Sequence, residues 1–309
     1  MQQIILPVHK SLIIKELKSE RFVRKTNYGN NEIYIINAHN SPNVMREIGR
    51  LRELTFRYAG GGTGKDVDID SYDTNPIPYE QLIVWSPTDQ EIVGGYRFIK
   101  CKSLILKEKK EIDLVTTHLF KFSDKFISDF LPYTIELGRS FVQPNYQPSS
   151  TNRNGLFSLD NIWDGLGALT MDNPDIQYFF GKVTMYLSFN QKARDLILFF
   201  MHKFFPDREK LVFPHNPLSI NSDLKELDDL FCGNNYQENY KILNSHVRNL
   251  NENIPPLVNT YMNISPSMRT FGTSLNDSFG QVEETGILVT IKDIYESKKE
   301  RHLLSYKKI

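Results

Sequence analysis

Two stretches of this chain are apolar on both sides and yet carry full charges at their centre. One is Ile92–Ile99, which reads Ile-Val-Gly-Gly-Tyr-Arg-Phe-Ile and holds Arg97. The other is Tyr133–Val142, which holds Glu136 and Arg139. A strand with no polar side is a central strand of a sheet. A guanidinium does not lose its proton, so inside a sheet it must meet carboxylates. The acid-rich segment Asp66–Asp73 offers such partners to Arg97. Glu136 and Arg139 are three residues apart and would face opposite ways in a regular strand. A bulge near Gly138 would bring them to one face. There Glu136 is either a general base or a carboxylate neutralised by a neighbouring arginine.

A third charge sits on a helix. Ser41-Pro42 reads as an N-cap followed by proline at the first helical position. From there Val44, Ile48 and Leu51 repeat at helical spacing, and Gly60-Gly61-Gly62 ends the run. Met45, Gly49, Arg52 and Phe56 line up beside that stripe. Arg52 therefore either reaches the helix edge or meets a carboxylate.

The remaining pattern alternates. Residues 33–37, 81–85, 91–100, 133–142 and 178–187 read as strands; residues 159–171 and 191–204 read as helices. Residues 215–260 look helical and loop-like, and 286–291 is a late strand. Alternation of this kind predicts an α/β class. The 309 residues carry 37 basic and 37 acidic side chains, and 40% are apolar. That is a globular composition, and it lacks the basic excess of a nucleic-acid protein. Cys101 and Cys232 are too few and too far apart for a disulfide scaffold or a cysteine-rich zinc site. The first residues lack a signal-peptide core, and no window of about 18 apolar residues predicts a membrane span.

Two familiar loops fail on inspection. Gly60–Lys65 lacks the first glycine of a phosphate loop and the serine or threonine that follows its lysine. Asp66-x-Asp68-x-Asp70 lacks the glycine and the closing glutamate of a calcium loop. The seven histidines show no zinc-ligand pairing.

In order, however, the charged positions form a pattern. Arg52-x-x-x-Phe56, Asp68-x-Asp70-x-x-Asp73, Gly94-Gly95-Tyr96-Arg97 and Glu136-Leu137-Gly138-Arg139-Ser140 resemble acyl-homoserine-lactone synthases. They resemble still more the related N-acyltransferases of ornithine-lipid and glycine-lipid synthesis, often labelled hemolysin-like. Both are branches of the GNAT superfamily. The segments Asn161–Ala168, Tyr178–Thr184 and Pro255-Pro256-Leu257 with Asp277 and Phe279 resemble the lipid branch, so the likeness runs over residues 33–291. The usual GNAT pyrophosphate signature would begin at Ile162 and is absent, which fits an acyl-carrier-protein donor better than acetyl-CoA.

The resemblance implies a GNAT acyltransferase fold: a central mixed twisted sheet flanked by helices, with a helical C-terminal extension. It implies a single domain over 1–309, with a catalytic core at 33–214 and an extension at 215–309 that includes the strand at 286–291. It implies transfer of a (3-hydroxy)fatty acyl group from acyl carrier protein, with CoA as the alternative carrier, to the amino group of ornithine or glycine. No bound cofactor and no metal are expected.

Glu136 and Arg139 are the expected catalytic residues; Arg52, Phe56, Asp68, Asp70, Asp73, Arg97 and Trp163 are the expected substrate-binding ones. The departing phosphopantetheine arm would leave between the 133–142 and 178–187 strands, with its phosphate at the start of the 159–171 helix. Lys100, Lys102, Lys107, Lys109 and Lys110 are a candidate landing patch for an acidic carrier. The helix at 191–204, with Lys192, Arg194 and Lys203, is a candidate peripheral membrane contact on an otherwise cytoplasmic protein. A homoserine-lactone-type signal synthase and a non-catalytic lipid-binding protein are the competing readings.

Overall fold

The computed structural model describes residues 1–105, 112–147, 155 and 157–307. In chain order the helices are α1 (Lys10–Glu16), α2 (Pro42–Tyr58), α3 (Ser71–Thr74), α4 (Lys102–Ile105), α5 (Ser158–Asp172), α6 (Gln191–Phe204), α7 (Leu224–Leu230), α8 (Tyr236–Asn249), α9 (Pro256–Met262) and α10 (Glu296–His302). The strands are β1 (Phe22–Lys25), β2 (Glu32–Ile36), β3 (Glu80–Ser86), β4 (Glu91–Lys100), β5 (Phe120–Phe122), β6 (Thr134–Val142), β7 (Tyr178–Met185), β8 (Val212–Pro214), β9 (Arg269–Asn276) and β10 (Val282–Thr290). They form two compact units, each discontinuous in sequence. The first is Met1–Lys107 with Tyr133–Gln177 and Glu296–Ile309; the second is Glu108–Pro132 with Tyr178–Tyr295. These boundaries run differently from the 214/215 division read from sequence.

The first unit is a five-stranded antiparallel sheet in the order β1-β2-β3-β4-β6. Gln81 lies opposite Arg97, Arg97 opposite Gly138, and Ile99 opposite Glu136. One face of the sheet therefore carries Gln81, Arg97 and Glu136 together. Helix α2 covers that face, for its Arg52 reaches Gln81. Helix α5 covers the other face, where Gly165 rests on Leu82. The expected bulge is present in β6. Three steps from Phe141 to Gly138 match two from Gly95 to Arg97, and Arg139 takes a left-handed conformation with φ 49°.

The start of α2 departs from expectation. Ser41 makes no side-chain cap. Glu16 of α1 caps the helix instead, accepting the backbone N–H of Asn43 at 3.2 Å and of Val44 at 2.9 Å. A carboxylate there also meets the positive end of the helix dipole. The glycine loop after α2 has a partner of its own. Glu53, buried on α2, accepts the Thr63 N–H and hydroxyl at 3.0 and 2.7 Å and the Gly64 N–H at 2.8 Å. Burial alone would raise the Glu53 carboxyl; these bonds and Arg57 hold it below its usual range.

The second unit pairs β7, β10 and β9 antiparallel, and β5 with β8. Strand β9 lies in a stretch the sequence leaves unassigned, and the late strand begins at Val282 rather than 286. Helix α6 packs its apolar side: Leu196, Ile197, Leu198, Phe200 and Met201 are buried, and Phe200 meets Phe231, Tyr236 and Tyr240. Arg194 is buried against Asp195 and Glu283, both at 2.6 Å, and Lys203 binds Asp228 at 2.8 Å and the Phe231 carbonyl at 2.9 Å. Of the three expected basic residues, Lys192 is exposed and has no such partner among the described residues. The apolar side of the helix is packed within this unit. Among the described residues no helix is long and apolar enough to cross a membrane.

Candidate active site

Asp70 and Asp73 open the site. They bracket α3 as a reciprocal cap: the Asp73 N–H donates to Asp70 Oδ1 and the Asp70 N–H to Asp73 Oδ2, both at 3.2 Å. This turn fixes two carboxylates against β3 and β4. Arg97 Nη1 donates to Asp70 Oδ1 and Oδ2 at 2.7 and 2.8 Å and to Asp73 Oδ2 at 3.2 Å. Arg52 Nη1 reaches Asp73 Oδ1 at 3.3 Å, and its Nη2 donates to Gln81 Oε1. Gln81 Nε2 returns a bond to Asp73 Oδ1 at 2.9 Å. Arg139 pairs with Asp68, Nε to Oδ2 at 2.8 Å, and stands 3.9 Å from Asp70.

Three arginines thus face three aspartates, and most of the network is sealed. Arg52, Arg97, Asp68 and Asp73 are at most 1% exposed. Burial penalises a lone charge by several kcal/mol, so such a cluster stands only when paired throughout. Burial would raise the Asp73 carboxyl, but the charges of Arg52 and Arg97 overcome it and hold it at about 2. For Arg97 burial is likewise outweighed, and the aspartates fix its proton more firmly. The Nε atoms of Arg52 and Arg97 have no hydrogen-bond partner among the described residues. The network opens at one end, where Asp70 is 29% and Arg139 12% exposed at the side chain.

Glu136 is 1% exposed, and Tyr79 donates its hydroxyl to Glu136 Oε2. The Tyr79 ring lies 5.2 Å from the Arg97 guanidinium carbon. Cys101 is buried beside this glutamate; burial, then the glutamate, pushes its thiol well above the usual value, so it stays a thiol.

The structure therefore gathers Arg52, Asp68, Asp70, Asp73, Arg97, Glu136 and Arg139 on one face of one sheet. Phe56 lies one turn beyond Arg52 on α2 and is buried. Trp163 is different: it is buried on α5, on the opposite face, and is not brought to the arginine–aspartate network. Gln81 and Tyr79 belong to the cluster and were not singled out in the sequence. Their only signal there is alternate position on a strand that pairs with the one holding Arg97. Lys100 and Lys102 are exposed and bind Asn173 and Asp175 at 3.2 and 3.4 Å; Lys107, Lys109 and Lys110 lie outside the described residues. The described residues contain no cluster fit for a metal ion.

Known proteins resemble this chain at three levels. The acetyltransferase (GNAT) domain family matches residues 51–154, a span that holds the entire network. A glycine N(alpha)-acyltransferase of Phocaeicola vulgatus is 52% identical over 308 residues, which is 100% of this chain and 94% of that protein. A glycine N(alpha)-acyltransferase of Bacteroides thetaiotaomicron is 55% identical over 306 residues, 99% of this chain and 91% of that one. Among solved structures, the acyl-homoserine-lactone synthase LasI shares 16% identity over 50% of this chain and 72% of its own, with a TM-score of 0.32. The CoA-dependent synthase BjaI shares 14% over 53% and 71%, with a TM-score of 0.31. With half its residues shared along the whole length, the chain is an acyltransferase and belongs to the GNAT family of N-acyltransferases that includes these two curated relatives.

Proposed function

We propose that the protein transfers a (3-hydroxy)fatty acyl group from the thioester of an acyl carrier protein to the amino group of glycine, making the first intermediate of an aminolipid. The observation that carries the acceptor is the open end of the network. An acidic and a basic side chain stand there 3.9 Å apart, Asp70 and Arg139. A free amino acid is a zwitterion, and such a pair grips both ends: aspartate the ammonium, arginine the carboxylate. The names of the two relatives favour glycine over ornithine.

The reaction follows from elementary chemistry. An ammonium is not a nucleophile, so a base must take a proton before attack. Glu136 is that base, directly or through a water. The amine nitrogen then bonds to the thioester carbon and the C–S bond breaks. The thiolate leaves with the carrier's arm and recovers a proton, and the amine nitrogen gives up its second proton to become an amide. The bulged backbone at Gly138–Val142 is suited to donate N–H groups to the developing oxyanion. Among the described residues no side chain caps helix α5, and past Ser158, whose N–H donates to the Gly155 carbonyl at 3.2 Å, its next amides are suited to a phosphate. Lys100 and Lys102 are suited to meet an acidic carrier.

The test is incubation of the full chain with 3-hydroxypalmitoyl carrier protein and a pool of amino acids, read by mass spectrometry. N-acylglycine as the one new amide is the expected result, with Glu136→Gln inactive though folded. No amide from carrier-protein or CoA thioesters would overturn the reading, and an ornithine amide would overturn the acceptor.

A further inference from the structure

Tyr79 lies between Pro78 and β3, in a segment that otherwise only carries the chain from the aspartate turn into the sheet. It is 2% exposed, and contacts on several sides hold it. Its N–H donates to the Tyr72 carbonyl at 2.8 Å. Its ring meets the Tyr72 ring edge-on at 5.6 Å between centroids. Its face lies under Arg97 at 5.2 Å. Its hydroxyl donates to Glu136. A buried phenol needs a partner for its proton, but packing alone does not require that partner to be the glutamate of the site. A phenylalanine would make the same ring contacts. The hydroxyl is therefore the informative atom.

The direction of that bond matters. A carboxylate only accepts, so the phenol donates, and the bond fixes where the carboxylate points. Glu136 can take a proton from the substrate only while it is ionised. The ring, meanwhile, is shared with Arg97, whose other side holds Asp70 and Asp73. One side chain thus touches both the base and the guanidinium that anchors the acceptor-facing carboxylates.

We propose that Tyr79 is the positioning residue for Glu136: its hydroxyl aims the carboxylate, while its ring fixes that aim to Arg97. This rests on the reading of Glu136 as the base. The other titratable and charged groups facing the glutamate do not change charge in the working range. The Cys101 thiol is held neutral, Arg97 is held charged, and Asp73 stays ionised down to about 2. Arg52 is paired with Asp73 on the α2 side, and Asp68, Asp70 and Arg139 sit toward the open end. Glu80 and Lys100 lie on the opposite face by strand alternation.

The experiment compares wild type, Tyr79→Phe, Glu136→Gln and a chain with 3-fluorotyrosine placed at position 79 alone. Each is assayed as the full chain for amide formation, with kcat and KM for the amino acid determined separately and Tm as the check on folding. Loss of the one donor that aims the carboxylate lowers kcat about tenfold in Tyr79→Phe, while KM for the amino acid changes less than kcat. Fluorotyrosine has nearly the same shape and is a stronger donor, so it changes kcat with KM and Tm as in wild type; it keeps the test decisive if the phenylalanine variant misfolds. A kcat unmoved by both replacements, or a loss that falls on KM rather than kcat, beside an inactive Glu136→Gln, overturns the positioning role and leaves the base standing. An active Glu136→Gln overturns the base reading itself, and the positioning role with it.

Discussion

Asp73 is enclosed and sits between two guanidiniums, so its proton affinity is a measure of how tightly the network is built. Its value near 2 lies below the ordinary 3.8 of a free aspartate. The folded value is the lower one, so the stabilisation is complete above about pH 4 and is lost as pH falls toward 2. It amounts to about 2 kcal/mol. Asp73→Asn takes from Arg52 the carboxylate it pairs with and leaves Arg97 paired with Asp70, and is expected to cost about 3–5 kcal/mol near neutrality. Urea titrations at pH 6 and pH 2.5 check both points: the gap between variant and wild type should be wide at the first and narrow at the second. An equal gap at both would mean that folding does not lower the proton affinity of the aspartate. These charged residues were legible in the sequence because arginine and glutamate inside apolar strands demand an explanation. Tyr79 and Gln81 were not, because a tyrosine and a glutamine at the edge of a strand ask for none. Trp163 shows the opposite limit: its motif resembles a site but does not say that its helix packs on the far face of the sheet.

At the scale of elements, the approach of the aspartate segment to α2 decides whether the network can form. The Asp68 N–H donates to the Gly49 carbonyl at 3.0 Å. A β-carbon at Gly49 would stand 2.5 Å from Val67 Cγ2 and 2.7 Å from Ile69 Cγ1. In an open helix Gly→Ala gains up to about 1 kcal/mol. Here the crowding costs about 1–3 kcal/mol and pushes Asp68 and Asp70 off their arginines. Gly49→Ala should therefore lower Tm by a few degrees and raise KM for the amino acid severalfold. A raised Tm with KM unchanged would show that the segment has room to move. The sequence placed Gly49 on the right face, beside Arg52, but could not say what would lie on it. The same limit applies to β9. Its alternating polar residues and Gly272, at φ 90°, do not read as a strand until β10 pairs with them.

At the scale of the molecule, the first unit is closed by the far end of the chain. His302 of α10 is 5% exposed and its Nδ1 lies 2.8 Å from Oδ1 of Asp164, a fully buried carboxylate on α5. Tyr306 donates to Asp172 at 2.9 Å, and Arg301 pairs with Asp160 at 2.7 Å. The β-carbon of any residue but glycine at 167 would stand 2.1 Å from the His302 carbonyl oxygen. Removal of everything after Tyr295 should therefore lower the Tm of the whole chain and open α5 to limited proteolysis, because Asp164 loses a partner it cannot replace with water. A truncated chain that melts like the full one would refute this. A short charged helix such as Glu-Ser-Lys-Lys-Glu-Arg-His reads as solvated surface, so nothing in the sequence marks it as a closure. The α/β class and the central strands were legible, because burial on both faces leaves a composition that no loop tolerates.

The place of α10 also bears on how the protein is made. Residues 296–307 leave the ribosome only after all of β7 to β10 have been translated, yet they belong with β1 to β4 and β6. The sheet that bears Arg97 and Glu136 must wait, partly built, while some hundred and twenty residues of another unit emerge. During that interval Asp164 lacks His302 and keeps its bonds from Asn27. A nascent chain stalled anywhere in that span holds the first unit without its last helix.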